Sequence, residues 1–158
     1  MNQSKTILKH AVPEEWIDYN GHMNDAEYVR AFSWGVDAFM DEIGITEAFI
    51  EKNQYTIYTL ESHVIYMDEM KLGESFEVHL NILDYDAKRV HVFFELYGEG
   101  GKRAAVSEQM LMGIDQSSGR PAPFPDNVYE ELQSLAKNHT PDEKPEETGR
   151  VIGIRRKK

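Results

Sequence analysis

Polar and ionisable side chains cluster immediately before the most hydrophobic helical pattern of the chain. The segment "DYNGHMNDAEY" begins at Asp18 and ends at Tyr28. A carboxylate such as that of Asp18 can attack a carbonyl carbon or take a proton from water. The first N–H groups of a helix have no partner within it, and the helix dipole adds positive charge there. Because such groups can hold a developing oxyanion, the segment predicts ester or thioester hydrolysis.

The same residue types also allow a purely structural interpretation. Asp, Asn and Gly are common in turns, so Asp18 could simply close a turn around Gly21. Asn24 is well suited to cap the following helix, and Glu27 would complete a capping box. Gly21 would equally let the backbone approach a ligand closely. The spacing alone leaves both interpretations open.

Apolar periodicity predicts the elements that must position this segment. Apolar residues at spacings of three and four predict a long helix over residues 25–43. After residue 55 the period changes to two, which is typical of strands joined by tight turns. An opening strand and two further helices complete the pattern. The predicted strands are 6–12, 55–67, 76–82, 90–96 and 104–114, and the two further helices are 46–52 and about 128–135.

This order predicts an α+β fold in which a curved antiparallel sheet of about five strands wraps around one long central helix. Tight connections imply antiparallel pairing, and a wide apolar helix face needs a sheet to cover it. Residues 1–137 are assigned to this domain and residues 138–158 to a charged appendage, in which "RVIGI" could add a short edge strand. Exposed sheet edges favour a homodimer, with a dimer of dimers as an alternative.

Composition restricts the partners. The 158-residue chain carries a net charge of −11, and "RRKK" at its end is read as a solvated tail, so no nucleic-acid partner is predicted. No apolar run approaches the ~20 residues needed to cross a bilayer, and the N-terminus lacks a signal-peptide pattern. We therefore expect no membrane partner and a cytoplasmic location. The chain has no cysteine and its six histidines form no HExxH motif, so no metal or cofactor is predicted.

A second candidate site lies in "YTIYTLESHVIYMDEM". Strict alternation would place five side chains on one strand face: Ile57, Thr59, Glu61, His63 and Ile65. A carboxylate on a partly apolar face is costly without a partner. Glu61 and His63 could therefore act as an acid–base pair or contact a cationic group. The alternative is a solvated face on which the pair is incidental.

The segment from Asp18 to Tyr28 resembles the signature of hotdog-fold acyl-CoA thioesterases, the relatives of 4-hydroxybenzoyl-CoA thioesterase. The resemblance extends from about residue 12 to residue 137. It implies that Asp18 is the nucleophile or the general base, and that Gly21 is the motif glycine. His22 and Asn24 match a "GHVN" variant, which makes both candidate catalytic residues, with Asn24 orienting the thioester or the attacking water. Some relatives carry an aromatic residue and a histidine at positions 24 and 25, which leaves the role of Asp18 open.

Within that family, "DYNGHMN" and "ESHV" resemble thioesterases fused to, or encoded beside, L-carnitine dehydrogenase. This implies CoA thioesters of quaternary ammonium acids, such as betainyl-CoA, as substrates. Aromatic faces and carboxylates recognise trimethylammonium groups. The candidate substrate contacts are Trp16, Tyr19, Gly21, Asp25 and His63, with Glu61 supplying charge and Trp34, Tyr58 and Tyr66 as further aromatic faces.

Two other functions fit the same sequence. One is acyl dehydration or hydration on a hotdog fold, for which His22 and Glu61 would have to move a proton at carbon. The other is non-catalytic binding of a small quaternary amine. The acyl-CoA substrate would also need cations for its phosphates, and the basic residues of predicted turns are the candidates: Lys71, Lys88, Arg89, Arg103 and Arg120.

Overall fold

The computed structural model describes residues 3–157, and its elements agree closely with the periodicity of the sequence. Two short 3₁₀ turns, Glu14–Trp16 and Glu99–Gly101, supplement the helices and strands. In chain order the elements are β1 Lys5–Ala11, α1 Asp25–Glu42, α2 Glu47–Asn53, β2 Tyr55–Tyr66, β3 Ser75–Tyr85, β4 Arg89–Tyr97, β5 Arg103–Asp115, β6 Arg120–Pro121 and α3 Asp126–His139.

The strands form one antiparallel sheet in the order β1-β3-β4-β5-β2, and the two-residue β6 pairs with β5. Helix α1 contacts β1, β2, β3 and β4. The predicted α+β hotdog arrangement is therefore confirmed, with β6 as a small addition that the sequence analysis did not predict. Because β1 and β2 are the outermost strands, β2 presents one edge of the sheet.

The apolar stripe of α1 packs against the sheet at close range. Phe32 and Phe39 are fully buried in the main core. Gly35 brings the helix close to β3, since an added Cβ at this position would lie 3.1 Å from Cγ1 of Val78. This packing fixes where the first turn of α1 points.

A β-bulge in β2 places its second half on a different face from the one predicted. The register between β2 and β5 shifts between Thr59 and Glu61. A one-residue shift sends following side chains to the opposite face. Ile57 therefore packs in the main core, whereas Ile65 packs on the outer face against Leu83, Phe93 and Val106. The prediction that Ile57 shares a face with Glu61, His63 and Ile65 is wrong for this reason.

The C-terminal segment has no regular structure after α3, which continues to His139, past the predicted boundary at residue 137. Residues 150–157 form no strand, so the predicted edge strand in "RVIGI" is absent. Val151, Ile152 and Ile154 are exposed, because this segment lies outside the sheet ladders. Within residues 3–157, no helix combines the length and apolar character needed to cross a membrane.

Candidate active site

The loop before α1 is fastened to its surroundings by backbone hydrogen bonds. Met23 N–H donates to the carbonyl of Met70 at 2.8 Å, and Asn24 N–H donates to the carbonyl of Trp16 at 2.8 Å. Ile17 and Met23 also form an isolated antiparallel bridge. These contacts bring the loop against the segment that follows β2, although the two are far apart in sequence.

Asp18 closes the turn of this loop with one carboxylate oxygen. Its Oδ1 accepts hydrogen bonds from the N–H groups of Asn20 at 2.8 Å and His22 at 3.4 Å. Its carbonyl accepts from Gly21, whose φ of +81° favours glycine at this position. The structural interpretation of Asp18 is therefore realised. Among the described residues, Oδ2 has no hydrogen-bond partner, so the second oxygen is available to a ligand.

The start of α1 presents one N–H group without an acceptor. Asn24 caps the helix, its Oδ1 accepting from Ala26 N–H at 2.9 Å, and Asp25 Oδ1 accepts from the same group at 3.0 Å. Glu27 N–H donates to the carbonyl of Asn24. In the part of the chain that the structure describes, the N–H of Asp25 has no acceptor. The predicted capping box is wrong, because the Glu27 side chain instead pairs with Arg30 at 2.6 Å.

A cavity of about 390 Å³ opens beside this helix start, and we call it the helix-start cavity. Acidic and aromatic side chains dominate its walls, and no Lys or Arg is among them. It is lined by Asp18, Met23, Asp25, Tyr28, Tyr66, Met67, Asp68 and Glu69. The predicted candidates Asp18 and Asp25 therefore share one cavity with the end of β2.

Two tyrosines form one wall of the helix-start cavity. The rings of Tyr28 and Tyr66 meet edge to face, with centroids 5.2 Å apart. Tyr28 Oη donates to the carbonyl of Asp68 at 3.0 Å, and Tyr66 Oη donates to the carbonyl of Asp25 at 3.2 Å. Burial raises the pKa of Tyr28 to about 12, and burial together with the Asp25 charge raises the pKa of Tyr66. Both phenols therefore stay protonated at neutral pH and cannot act as general bases.

His22 contacts the cavity wall through an acidic neighbour. Its Nε2 lies 3.0 Å from Oε2 of Glu69, and the imidazole is about one-third exposed. The ring is thus paired with a carboxylate on the segment after β2. Its predicted catalytic role stays a prediction.

Four further predicted residues lie away from this cavity. Trp16 is buried among His10, Trp34 and Phe76, so its ring is part of the core. Tyr19 is 98% exposed and lines no part of the helix-start cavity. Glu61 and His63 line a separate cavity of about 410 Å³ on the outer face of the sheet, which we call the outer cavity. The bulge in β2 explains their orientation, because it turns both side chains outward.

The sequence analysis missed four residues of the helix-start cavity: Met23, Met67, Asp68 and Glu69. Two adjacent acids directly after a predicted strand were the available signal. That signal was insufficient, because long-range contacts such as the hydrogen bond from Met23 to Met70 bring the segment opposite Asp18. Tyr66, which was named only as one of several aromatic faces, lies in the cavity wall.

Comparison with known proteins identifies the family of the chain. A profile of the thioesterase-like superfamily matches residues 12–132. The chain is 39% identical over 155 residues to a betainyl-CoA thioesterase of Pseudomonas aeruginosa, covering 98% of both chains. It is 34% identical to the L-carnitine dehydrogenase/betainyl-CoA thioesterase of Rhizobium meliloti, covering 89% of this chain and 28% of that protein.

A solved structure is similar over nearly the whole chain. It is that of a Staphylococcus aureus protein in complex with CoA, with a TM-score of 0.91, 38% identity and coverage of 98% of both chains. The profile match spans most of this chain, and a curated relative aligns along its full length. The chain therefore belongs to the thioesterase-like superfamily and is an acyl-CoA thioesterase.

Proposed function

We propose that this enzyme hydrolyses the CoA thioester of a quaternary ammonium acid, with betainyl-CoA as the substrate, in the helix-start cavity. The observation that carries the proposal is the composition of that cavity. An oriented carboxylate and an unpaired helix N–H lie beside two aromatic faces and three further carboxylates. The relatives named betainyl-CoA thioesterase support the same acyl group.

Asp18 activates the attack on the thioester carbonyl. Its Oδ1 is held by the turn, while Oδ2 faces the ligand either as the base that takes a proton from water or as the nucleophile. In the first route the water oxygen bonds to the carbonyl carbon, and the C–S bond breaks as the proton passes to the sulfur of CoA. In the second, a mixed anhydride with Asp18 forms as CoA leaves, and water then cleaves it.

The start of α1 stabilises the negative charge that develops on the carbonyl oxygen. The N–H of Asp25 is the donor, and the dipole of α1 adds to its effect. Asn24 uses its Oδ1 for the cap, which leaves its amide N–H₂ group to orient the thioester or the water. We assign His22 to holding Glu69 in the cavity wall through their contact at 3.0 Å.

The aromatic and acidic walls recognise the trimethylammonium group. A cation gains from the face of an aromatic ring, and Tyr66 and Tyr28 supply such rings. The carboxylates of Asp68 and Glu69 add favourable charge close by. This set replaces Trp16 and Tyr19, which the sequence analysis favoured for the same task.

The family assignment favours hydrolysis over the dehydratase and the non-catalytic binder considered from the sequence. We further infer a homodimer formed along the β2 edge, where Tyr58 and Leu60 are 52% and 50% exposed. Unpaired strand edges with exposed apolar side chains favour such pairing. A role for Glu61 and His63 in catalysis or binding would require that second copy. We also propose the cytoplasmic location that the sequence predicts.

Hydrolysis of betainyl-CoA and of its uncharged isostere, tert-butylacetyl-CoA, tests the proposal by detection of the released thiol. We expect a higher kcat/KM for betainyl-CoA, because the two acyl groups differ mainly in charge. Equal kcat/KM values for the two substrates would refute recognition of the cation. Release of no thiol from any acyl-CoA would refute hydrolysis itself.

A further inference from the structure

The C-terminal segment is fixed to the folded domain at two points. Arg103 bridges Glu95, with Nε to Oε2 at 2.7 Å, and Glu147, with Nη2 to Oε1 at 2.9 Å. Gly149 N–H donates to Oε1 of Glu108 at 2.7 Å. The Arg103 hydrogen bond lowers the pKa of the Glu147 carboxyl, so this ion pair persists at neutral pH. The chain therefore leaves the sheet at a defined place.

Beyond Gly149 the charge of the chain reverses. Residues 150–158 hold five of the 17 Lys and Arg residues and none of the 28 acids. We call the described part of this segment, residues 150–157, the C-terminal arm. Neither Arg150 nor Arg155 forms an ion pair with a described carboxylate, whereas Arg89 and Arg103 do. An unpaired basic arm on an acidic protein suits an anionic ligand.

The C-terminal arm borders a cavity that adjoins the helix-start cavity. This arm cavity has a volume of about 730 Å³. Its walls are Ile65, Tyr66, Met67, Glu146, Glu147, Arg150, Val151 and Arg155. Tyr66 and Met67 line both cavities, so the two meet at the end of β2. A ligand that passes this strand end can therefore occupy both.

The charges of the two cavities suit the two ends of an acyl-CoA. The helix-start cavity has four carboxylates and no basic side chain in its lining, which repels phosphates. The nucleotide end of CoA carries a diphosphate and a separate phosphate on the ribose. Arginine is well matched to phosphate because its guanidinium donates two parallel hydrogen bonds. Of the two acids in the arm cavity, Glu147 forms its ion pair with Arg103, although the charge of Arg150 also acts on it, and Glu146 forms no ion pair with a described basic residue.

We propose that the C-terminal arm binds the phosphates of CoA, with Arg150 and Arg155 as the contacts, while the pantetheine part passes Tyr66 and Met67. This inference rests on the proposed function, since it assumes that the thioester lies in the helix-start cavity. It reassigns the phosphate contacts from the turn residues Lys71, Lys88, Arg89, Arg103 and Arg120. None of these five lines either cavity, and Arg103 instead anchors the arm.

Calorimetric titration of the full-length protein with CoA, dephospho-CoA and pantetheine tests whether the C-terminal arm binds the phosphates of CoA. The measurement does not require turnover. The test variant is Arg150→Gln/Arg155→Gln. Its matched control, Lys52→Gln/Lys144→Gln, removes two exposed charges that line neither cavity. We expect the test variant to bind CoA at least about tenfold more weakly, with a shallower salt dependence. Pantetheine affinity should not change, and the control should bind CoA as the wild type does.

Kinetics separate this inference from the proposed function. We expect the test variant to raise KM for an acyl-CoA while kcat stays the same, and to leave hydrolysis of the matching acyl-pantetheine unaltered. Unchanged CoA binding in the test variant, with normal hydrolysis, would refute phosphate binding by the C-terminal arm and leave the proposed function standing. An equal loss of CoA affinity in the control variant would also refute phosphate binding by the arm, because the change in net charge would then be the cause. A wild-type protein that neither binds CoA nor releases thiol would overturn both.

Discussion

The helix-start cavity and the outer cavity are nearly equal in volume, about 390 and 410 Å³, and the lining of each includes a glutamate that is paired with a histidine. At the first, Glu69 lines the cavity and its Oε2 lies 3.0 Å from Nε2 of His22, which is outside the lining; in the second, Nε2 of His91 lies 2.6 Å from Oε2 of Glu108 and both residues line the cavity. The difference lies in what surrounds each pair. Of the two, only the helix-start cavity has the start of α1 and a pair of tyrosine rings, Tyr28 and Tyr66, in its wall.

Volume and residue type therefore do not distinguish the two cavities, and the proposed reaction site rests on what surrounds each pair. A thioester needs a donor at the position where its oxygen becomes anionic, and a helix start supplies one at fixed geometry. The outer cavity lies on a sheet face, where the backbone N–H groups of central strands are already paired in ladders. The effects of substitutions in the two cavities should therefore differ both in kind and in size.

The largest effect is expected at Asp18. Asp18→Asn keeps an oxygen that can close the turn but removes the charge, so kcat should fall by about 10²–10⁴-fold with little change in stability. Asp115→Asn is the matched control, since Asp115 Oδ1 likewise accepts an N–H two residues on, from Ser117, outside the helix-start cavity. Release of thiol from betainyl-CoA gives kcat, and a melting curve confirms the fold. Retention of near wild-type kcat by folded Asp18→Asn would remove the basis of the mechanism.

A smaller effect, on stability, is expected at the segment that forms the cavity wall. Burial alone would raise the pKa of Glu74, but hydrogen bonds from Lys102 and from the N–H groups of Lys71 and Glu99 lower it below its usual 4.5. A lowered folded-state pKa means that the carboxylate stabilises the fold above pH 4.5 and that this contribution is lost as the pH falls below it. Glu74→Gln should lower the free energy of unfolding at pH 7 by about 1–3 kcal/mol.

Melting curves between neutral and acidic pH measure this contribution. The Tm difference between wild type and Glu74→Gln should shrink as the pH drops below 4.5, because the wild-type carboxylate then becomes protonated. Glu108→Gln in the outer cavity is the comparison, and its loss should be smaller because Glu108 is only half-buried. A Tm difference for Glu74→Gln that stayed constant with pH would contradict the assigned contact between Lys102 and the charged carboxylate of Glu74.

Local patterns were enough to predict most of the fold. The apolar spacing of α1 and the alternation of β3 and β4 depend on residues close in sequence, and these elements form as expected. The loop at Asp18 was also predictable as a turn, since Asp and Gly there have strong local preferences. Both interpretations of Asp18 are compatible, because the turn occupies Oδ1 and leaves Oδ2 available.

Contacts between distant segments could not be predicted. The bulge before Glu61 interrupts an alternation that looks unbroken in the sequence, and it reverses the orientation of Glu61 and His63. Asp68 and Glu69 join Asp18 through contacts between segments far apart in sequence, such as the hydrogen bond from Met23 to Met70. Neither feature leaves a local signature, so the sequence predicted Asp18 as a candidate but not the cavity wall opposite it.

A still smaller effect, on substrate choice, is expected at Tyr66. Tyr66→Leu removes the aromatic face, and the preference for betainyl-CoA over tert-butylacetyl-CoA should fall by about 2–30-fold, which corresponds to a cation–π energy of about 0.5–2 kcal/mol. Tyr66→Phe keeps the ring and loses only the hydrogen bond to the Asp25 carbonyl, so it should retain most of the preference. The ratio of the two kcat/KM values measures the effect. Equal losses in both variants would assign the effect to the hydroxyl and not to the ring.

The smallest effect is expected at Glu61, which is exposed and lies in the outer cavity. Salt screens exposed charges beyond about 10 Å, so within one chain Glu61→Gln should change kcat on betainyl-CoA by less than about twofold. Pairing of two β2 edges would change this expectation, because an antiparallel two-fold pair brings the first half of one strand opposite the second half of the other. A loss comparable with that of Asp18→Asn would therefore indicate a site completed by the second copy, and would support the role assigned to Glu61 from the sequence.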